Sequence, residues 1–120
     1  MESRGIYMKT EANVEWVDIT LMNNFLVAGA AKYSIRDNEV TIALNGIRTP
    51  EVPPKVSVIM AKLPNELLPS SGLEVREVTL LSSGYVANIV ITAEGYILFE
   101  AVEEAGPLTL FSAYKSYFVG

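Results

Sequence analysis

The stretch VANIVITAEGYILFE, residues 86–100, decides the fold of this chain. Apolar residues dominate on either side of Ala93, Glu94 and Gly95. These three residues are typical of a turn between two strands. Within this stretch, Glu94 is the only charged residue before Glu100. The stretch therefore predicts a β-hairpin with two unusually apolar strands.

Both faces of this hairpin are apolar. One face carries Val86, Val90 and Leu98, and the opposite face carries Ile89, Ile91, Ile97 and Phe99. A strand that is apolar on both faces is covered on both faces. Two explanations stay open at this point: a neighbouring subunit covers the second face, or the hairpin is central in its sheet and is covered by loops of the same chain.

Strand-like segments continue on both sides of the hairpin. Alternating or β-branched patterns occupy residues 15–21, 31–35, 40–44, 55–61, 73–81 and 108–119. Three prolines in residues 47–54 predict a loop, because proline lacks the ladder donor, and residues 63–69 suit a short helical turn. Roughly eight strands separated by frequent turns predict an all-β, antiparallel, jelly-roll-like sandwich or barrel.

The domain organisation predicted from the sequence is simple. The chain has 120 residues, a typical length for one domain. Residues 14–120 form the predicted β-sandwich domain. Residues 1–13 are polar and lack periodicity, so they are interpreted as an N-terminal arm, which is either a flexible end or a segment that docks on a partner.

Composition excludes several classes of function. The chain contains no histidine and no cysteine, so a Ser-His-Asp or Cys-His hydrolase, a disulfide and a zinc-thiolate site cannot be built. We expect no enzyme activity, no metal and no cofactor. The net charge is −5 and there is no basic stripe, which argues against nucleic acid as a partner.

The hydropathy pattern bears on location. No apolar run reaches the roughly 18 to 20 residues that span a bilayer, so membrane insertion is not expected. The first residues lack the apolar core of a signal peptide. The sequence therefore predicts synthesis in the cytoplasm.

Few residues suggest chemistry. Glu103 and Glu104 form an adjacent carboxylate pair of the kind that glycosidases use, but they fall in a predicted loop, where a solvated pair is the simpler reading. Aromatic side chains suit sugar stacking or an interface, although most pack in the core of a small β-domain. The ligand contacts predicted on exposure and side-chain chemistry are Tyr85 and Tyr114, with Arg48 and Glu51 in the proline-rich loop.

Four segments, residues 16–25, 31–46, 61–69 and 88–98, follow one another in an order that resembles the head domains of tailed-phage receptor-binding proteins. Residues 16–25 (WVDITLMNNF) are similar to their opening strand, and residues 31–46 to the hairpin that follows. Residues 61–69 (AKLPNELLP) resemble their Leu-Pro, spacer, Pro segment, and residues 88–98 their closing hairpin with an acidic-Gly turn. The resemblance extends over residues 14–118. One departure is Asn24, which stands where those domains usually have glycine.

The resemblance implies a small jelly-roll-like sandwich that forms a homotrimer at a tail tip and binds host cell-wall saccharide without catalysis. The shoulder and neck that attach such heads to a virion have no counterpart before Trp16, which predicts a free-standing small phage protein or a fragment. Such a protein would bind host saccharide or serve as an accessory piece of the virion tail alongside other tail proteins. The alternative is a cellular protein-interaction sandwich with no viral role.

Overall fold

The computed structural model describes residues 15–70 and 72–119, and strands dominate them. The predicted arm, residues 1–13, lies outside the described residues. The strands are β1 (Val17–Asp18), β2 (Leu26–Arg36), β3 (Glu39–Arg48), β4 (Ser57–Lys62), β5 (Val75–Leu80), β6 (Val86–Ile91), β7 (Tyr96–Ala101) and β8 (Leu110–Phe118). A 3₁₀ helix, Asn65–Leu67, supplies the predicted helical turn. Within this described part, no helix has the length and apolar character needed to cross a membrane.

The strands form two four-stranded antiparallel sheets. The first sheet has the order β1-β2-β3-β8 and the second sheet has the order β4-β7-β6-β5. The hairpin of residues 86–100 becomes β6 and β7 and occupies the centre of the second sheet. The predicted antiparallel β-sandwich is therefore confirmed.

The first strands differ from the prediction. The alternating pattern of residues 15–21 predicts a full strand, yet β1 pairs with β2 only at Val17 and Asp18. Asn23 and Asn24 adopt positive φ angles of 58° and 69° and turn the chain, which asparagine tolerates better than most residues. The long β2 begins after this turn, at Leu26, well before the predicted residue 31.

The core lies between the inner faces of the two sheets. Phe25, Phe99 and Phe111 stack through it, with ring centroids of Phe99 5.5 Å from Phe25 and 5.4 Å from Phe111. These separations and tilted planes are favourable for aromatic pairs. The inner residues of the hairpin, Ile89, Ile91, Ile97 and Phe99, are all buried there.

Both sides of the sandwich are closed by contacts between the sheets. On one side, the Thr79 hydroxyl of β5 donates to the Ser112 carbonyl of β8 at 2.6 Å. On the other side, the Met22 amide donates to the Met60 carbonyl of β4 at 2.8 Å. Such contacts occupy edge groups that would otherwise be open to pairing with another chain.

The outer face of the hairpin is covered in part by this chain. Val90 has 0% exposure although it lies outside the core, whereas Val86 remains 36% exposed. Arg76 pairs with Val90 across the β5–β6 ladder, and its Nη1 donates to Glu100 Oε1 on β7 at 3.1 Å. The arginine side chain therefore crosses β6. The hydrogen bond and the charge of Glu100, with a smaller contribution from Glu74, raise the pKa of Arg76, so it is charged at every physiological pH.

Candidate functional site

Two adjacent β-bulges interrupt the first sheet and shape its outer face. The β2–β3 register shifts between Val27 and Ala30, and the β3–β8 register shifts between Leu44 and Ile47. Gly29 lies at the first shift, where a Cβ atom would collide with the carbonyl oxygen of Asn45. The close approach of the two bulged backbones therefore requires glycine at this position.

A shallow depression lies beside the bulges. It has a volume of about 250 Å³ and is lined by Trp16, Ala30, Lys32, Ala43, Asn45 and Tyr114. We call this cavity the aromatic depression. Ala43 pairs with Lys32 on one side and with Tyr114 on the other, so the small alanine side chain leaves space between larger neighbours. Trp16 and Tyr114 are 46% and 59% exposed, which leaves both rings available to a ligand.

The polar groups of the aromatic depression have defined orientations. Ser112 Oγ accepts a hydrogen bond from the Gly46 amide at 3.0 Å and donates to Asn45 Oδ1 at 3.2 Å. Because the Asn45 oxygen faces Ser112, its amide nitrogen remains a donor for a ligand. Lys32 Nζ lies 3.7 Å from Asp18 Oδ1. This exposed pair contributes little to stability but holds a positive charge at the depression.

The predicted ligand residues fall in two places. Tyr114 lines the aromatic depression. Arg48 ends β3 on the same sheet and pairs with Leu110 of β8, so along that strand it lies about 13 Å from Tyr114. Tyr85 lies just before β6, in the second sheet.

Strand directions place Arg48, Glu51 and Tyr85 at one end of the sandwich. Arg48 ends β3 and Glu51 is exposed in the following loop. The turn that carries Tyr85 contacts the start of β8, where the Ser82 amide donates to the Leu110 carbonyl at 2.9 Å. Leu110 is also the partner of Arg48. The four candidates therefore divide into a group of three at this end and Tyr114 in the middle of a sheet face.

Sequence reasoning did not select Trp16, Lys32 and Asn45 as ligand contacts. Their proximity depends on the bulges, which bring together residues from four strands or strand ends. A signal was present: Gly29 and the Asn45-Gly46 pair interrupt otherwise strand-like segments, and an isolated glycine in a strand suggests a bulge or a close backbone approach. The carboxylate pair Glu103 and Glu104 lies elsewhere, exposed in the loop after β7.

Comparison with known proteins depends on structure, because no protein-family model matches this chain and no curated protein matches its sequence. The head domain of the lactococcal phage bIL170, described as a receptor-binding domain, superposes with a TM-score of 0.74 at 17% identity, covering 90% of this chain and 100% of that domain. The chain has the fold of a phage receptor-binding head domain. The predicted resemblance is confirmed at the level of fold.

A second solved structure has the same fold. The receptor-binding protein of Listeria phage PSA superposes with a TM-score of 0.59 at 17% identity, over 99% of this chain and 76% of that protein. Receptor-binding proteins of two phages are thus similar to this chain over most of its length.

Proposed function

We propose that this chain is a non-enzymatic receptor-binding module of a phage tail, which binds a host cell-surface saccharide in the aromatic depression. The observation that carries the proposal is that exposed Trp16 and Tyr114 line one shallow cavity, with polar groups beside them. Sugar rings present an apolar C–H face, which packs against aromatic rings, and hydroxyl groups, which bond polar side chains.

The polar groups favour a particular kind of saccharide. The Lys32 ammonium can only donate hydrogen bonds, and the amide nitrogen of Asn45 is a donor because its oxygen accepts from Ser112. The indole N–H of Trp16 is a third donor. A saccharide that offers acceptor oxygens, including carboxylate-bearing sugars, is the best complement to this set.

The remaining predicted contacts suit a longer saccharide. Arg48 lies in the same sheet as the aromatic depression, towards the end of the sandwich that also carries Glu51 and Tyr85. We assign these three residues to the outer units of an extended polysaccharide, with Tyr114 contacting the central unit. Their removal is expected to weaken binding of a polymer more than binding of a single sugar.

We also propose that the module assembles as a homotrimer through the second sheet. Val78 and Leu80 of β5 are 64% and 67% exposed, and Val86 lies beside Leu80 in the ladder. Light scattering is expected to give three times the chain mass. The variant Leu80→Asp would lower this mass to that of one chain, whereas Leu108→Asp, in a loop of the same protein, would leave it unchanged. A monomer at all concentrations would contradict the trimer.

The saccharide proposal is tested by co-sedimentation with bacterial cell walls stripped of protein, taken from lactococcal and Listeria strains and from unrelated bacteria. We expect saturable binding to at least one wall type and competition by the polysaccharide purified from it. If no wall in a broad panel is bound, receptor binding is contradicted. Binding to isolated tail proteins in that case would favour the accessory role, and the alternative of a cellular interaction module would require a host protein partner.

A further inference from the structure

A second cavity lies on the side of the sandwich where β1 meets β4. It has a volume of about 290 Å³, and its lining includes Val17, Ile19, Met22, Tyr33, Lys62 and Leu63. We call it the seam cleft. It is separate from the aromatic depression, which lies on the outer face of the first sheet.

The seam cleft exists because two short elements end beside each other. β1 pairs with β2 at Val17 and Asp18 only, and β4 ends at Lys62. Asn23 Nδ2 donates to the Ile59 carbonyl at 2.7 Å and fixes the two sheets together near the turn. The segments that flank these bonds, residues 17–20 and 62–64, line the cleft between them.

The base of the seam cleft is apolar. Ile19 and Leu63 belong to the core and are 7% and 2% exposed, while Val17 and Met22 at the mouth are 43% and 40% exposed. A ligand with an apolar body would remove the latter two side chains from water. Burial of apolar surface is favourable, so such a ligand gains affinity from these contacts.

One cation is positioned at the mouth. Lys62 Nζ donates to the Leu63 carbonyl at 3.0 Å and lies 5.4 Å from the centroid of the Tyr96 ring. Within residues 15–70 and 72–119 it has no carboxylate partner, so two of its three N–H donors are available. The Tyr33 hydroxyl likewise has no hydrogen-bond partner in the described part of the chain.

The opposite charge lies at the other edge. Asp18 also lines the seam cleft, but its carboxylate is paired with Lys32 on the outer face of the first sheet. A ligand anion would therefore be drawn to Lys62 and kept from Asp18. The positions of Lys62 and Asp18 therefore orient a bound anion in the cleft.

We propose that the seam cleft is a second ligand site, which binds a small molecule with an apolar body and a carboxylate. The apolar body packs on Ile19 and Leu63, and the carboxylate accepts hydrogen bonds from Lys62 and from Tyr33. The site is independent of saccharide binding in the aromatic depression, so either can fail without the other.

The test uses benzoate and its neutral analogue benzamide, titrated into ¹⁵N-labelled protein and followed by NMR. Benzoate is expected to shift the amides of Val17, Ile19 and Leu63 saturably, and to bind about tenfold more tightly than benzamide because it bonds a charged donor. Lys62→Met retains the aliphatic stem and removes the charge, so it should abolish the preference for benzoate. Lys55→Met is the matched control and should preserve it, because Lys55 lies before the opposite end of β4 and lines neither cavity.

Three results would overturn the proposal. The first is the absence of saturable shifts around the seam cleft with either compound. The second is equal affinity for both compounds in the unsubstituted protein. The third is benzoate binding whose shifts centre on Trp16 and Tyr114, which would indicate stacking in the aromatic depression instead. Tyr33→Phe provides a second variant should Lys62→Met fail to give a folded spectrum, and it is expected to weaken benzoate more than benzamide.

Discussion

The outer faces of the two sheets differ in what they present to solvent. The first sheet carries the aromatic depression, in which small and polar residues lie between Trp16 and Tyr114. The second sheet carries exposed aliphatic residues, Val78 and Leu80, beside an arginine fixed by two carboxylates. Both faces are built on antiparallel sheets of four strands.

Under the proposed function, this difference separates the face that recognises a ligand from the face that assembles with other copies. Aromatic rings with oriented donors suit a polar ligand that remains partly hydrated, whereas aliphatic side chains on a flat sheet suit another protein surface. The bulges also occur in the first sheet, at the aromatic depression, where they break the regular ladder. In the second sheet the β5–β6 and β6–β7 ladders run without a shift, and the one register shift lies in the β4–β7 ladder, between Ile59 and Ala61, away from Val78 and Leu80.

Substitution of Gly29 is expected to have the largest effect, because it disturbs the bulges that distinguish the outer face of the first sheet. Gly29→Ala places a methyl group against the Asn45 carbonyl, so the paired bulges must separate. We expect a loss of about 3 kcal/mol in the free energy of unfolding, measured by urea denaturation, with loss of saccharide binding. Gly106→Ala is the control, because its Cβ would meet no atom within 4 Å. Equal stability of the two variants would contradict the bulge account.

Val90 and Val78 test whether this chain covers part of the outer face of the second sheet. Val90→Ala removes a fully buried side chain and is expected to cost about 2 kcal/mol. Val78→Ala, on the same face and 64% exposed, should alter the free energy of unfolding of the isolated chain by less than about 0.5 kcal/mol. Denaturation at a concentration where the chain is monomeric distinguishes them. Similar losses would mean that this face is uniformly covered or uniformly open.

Both faces keep their arrangement only while the sheets stay joined, and Tyr117 helps to join them. Its hydroxyl donates to the Leu67 carbonyl at 2.7 Å, and burial raises the pKa of Tyr117 from 10.0 to about 12. The folded state therefore retains this proton where the unfolded state releases it. The contribution of Tyr117 to the free energy of unfolding is therefore complete below pH 10 and is lost as the pH rises from 10 towards 12.

The expected loss from Tyr117 is about 1 kcal/mol at pH 11. Urea midpoints measured at pH 9 and pH 11 would detect it. Tyr117→Phe carries no ionisable group at this position, so its midpoint should fall less over the same interval. An equal fall in both proteins would assign the effect to other groups.

Much of the fold could be predicted from the sequence because periodicity reports on burial. The alternation in residues 86–100 identified the central hairpin, and the inner and outer residues fall as predicted. The limits of β1 and β2 were missed because they depend on the asparagine turn at Asn23 and Asn24. The local sequence pattern does not show which asparagine residues adopt a positive φ, so it does not show where the chain turns.

The candidate site was less accessible to prediction. Tyr114 was selected as an exposed aromatic residue, and it lines the aromatic depression. Asn45 and Lys32 come from different strands, and they meet Tyr114 only through the register that the bulges set. Sequence shows residue types but not cross-strand register, so such neighbours emerge only from the folded chain.

The most direct test of the central claim compares two aromatic residues of one strand. Tyr114 and Phe118 lie on the outer face of β8 and are 59% and 64% exposed, but only Tyr114 lines the aromatic depression. The measurement is the dissociation constant, by calorimetry, for the polysaccharide of the wall that binds best. Tyr114→Ala is predicted to weaken binding about tenfold or more, as loss of a central aromatic contact does, and Phe118→Ala to leave it within about twofold. Equal effects, or a larger effect at Phe118, would contradict saccharide binding in the aromatic depression.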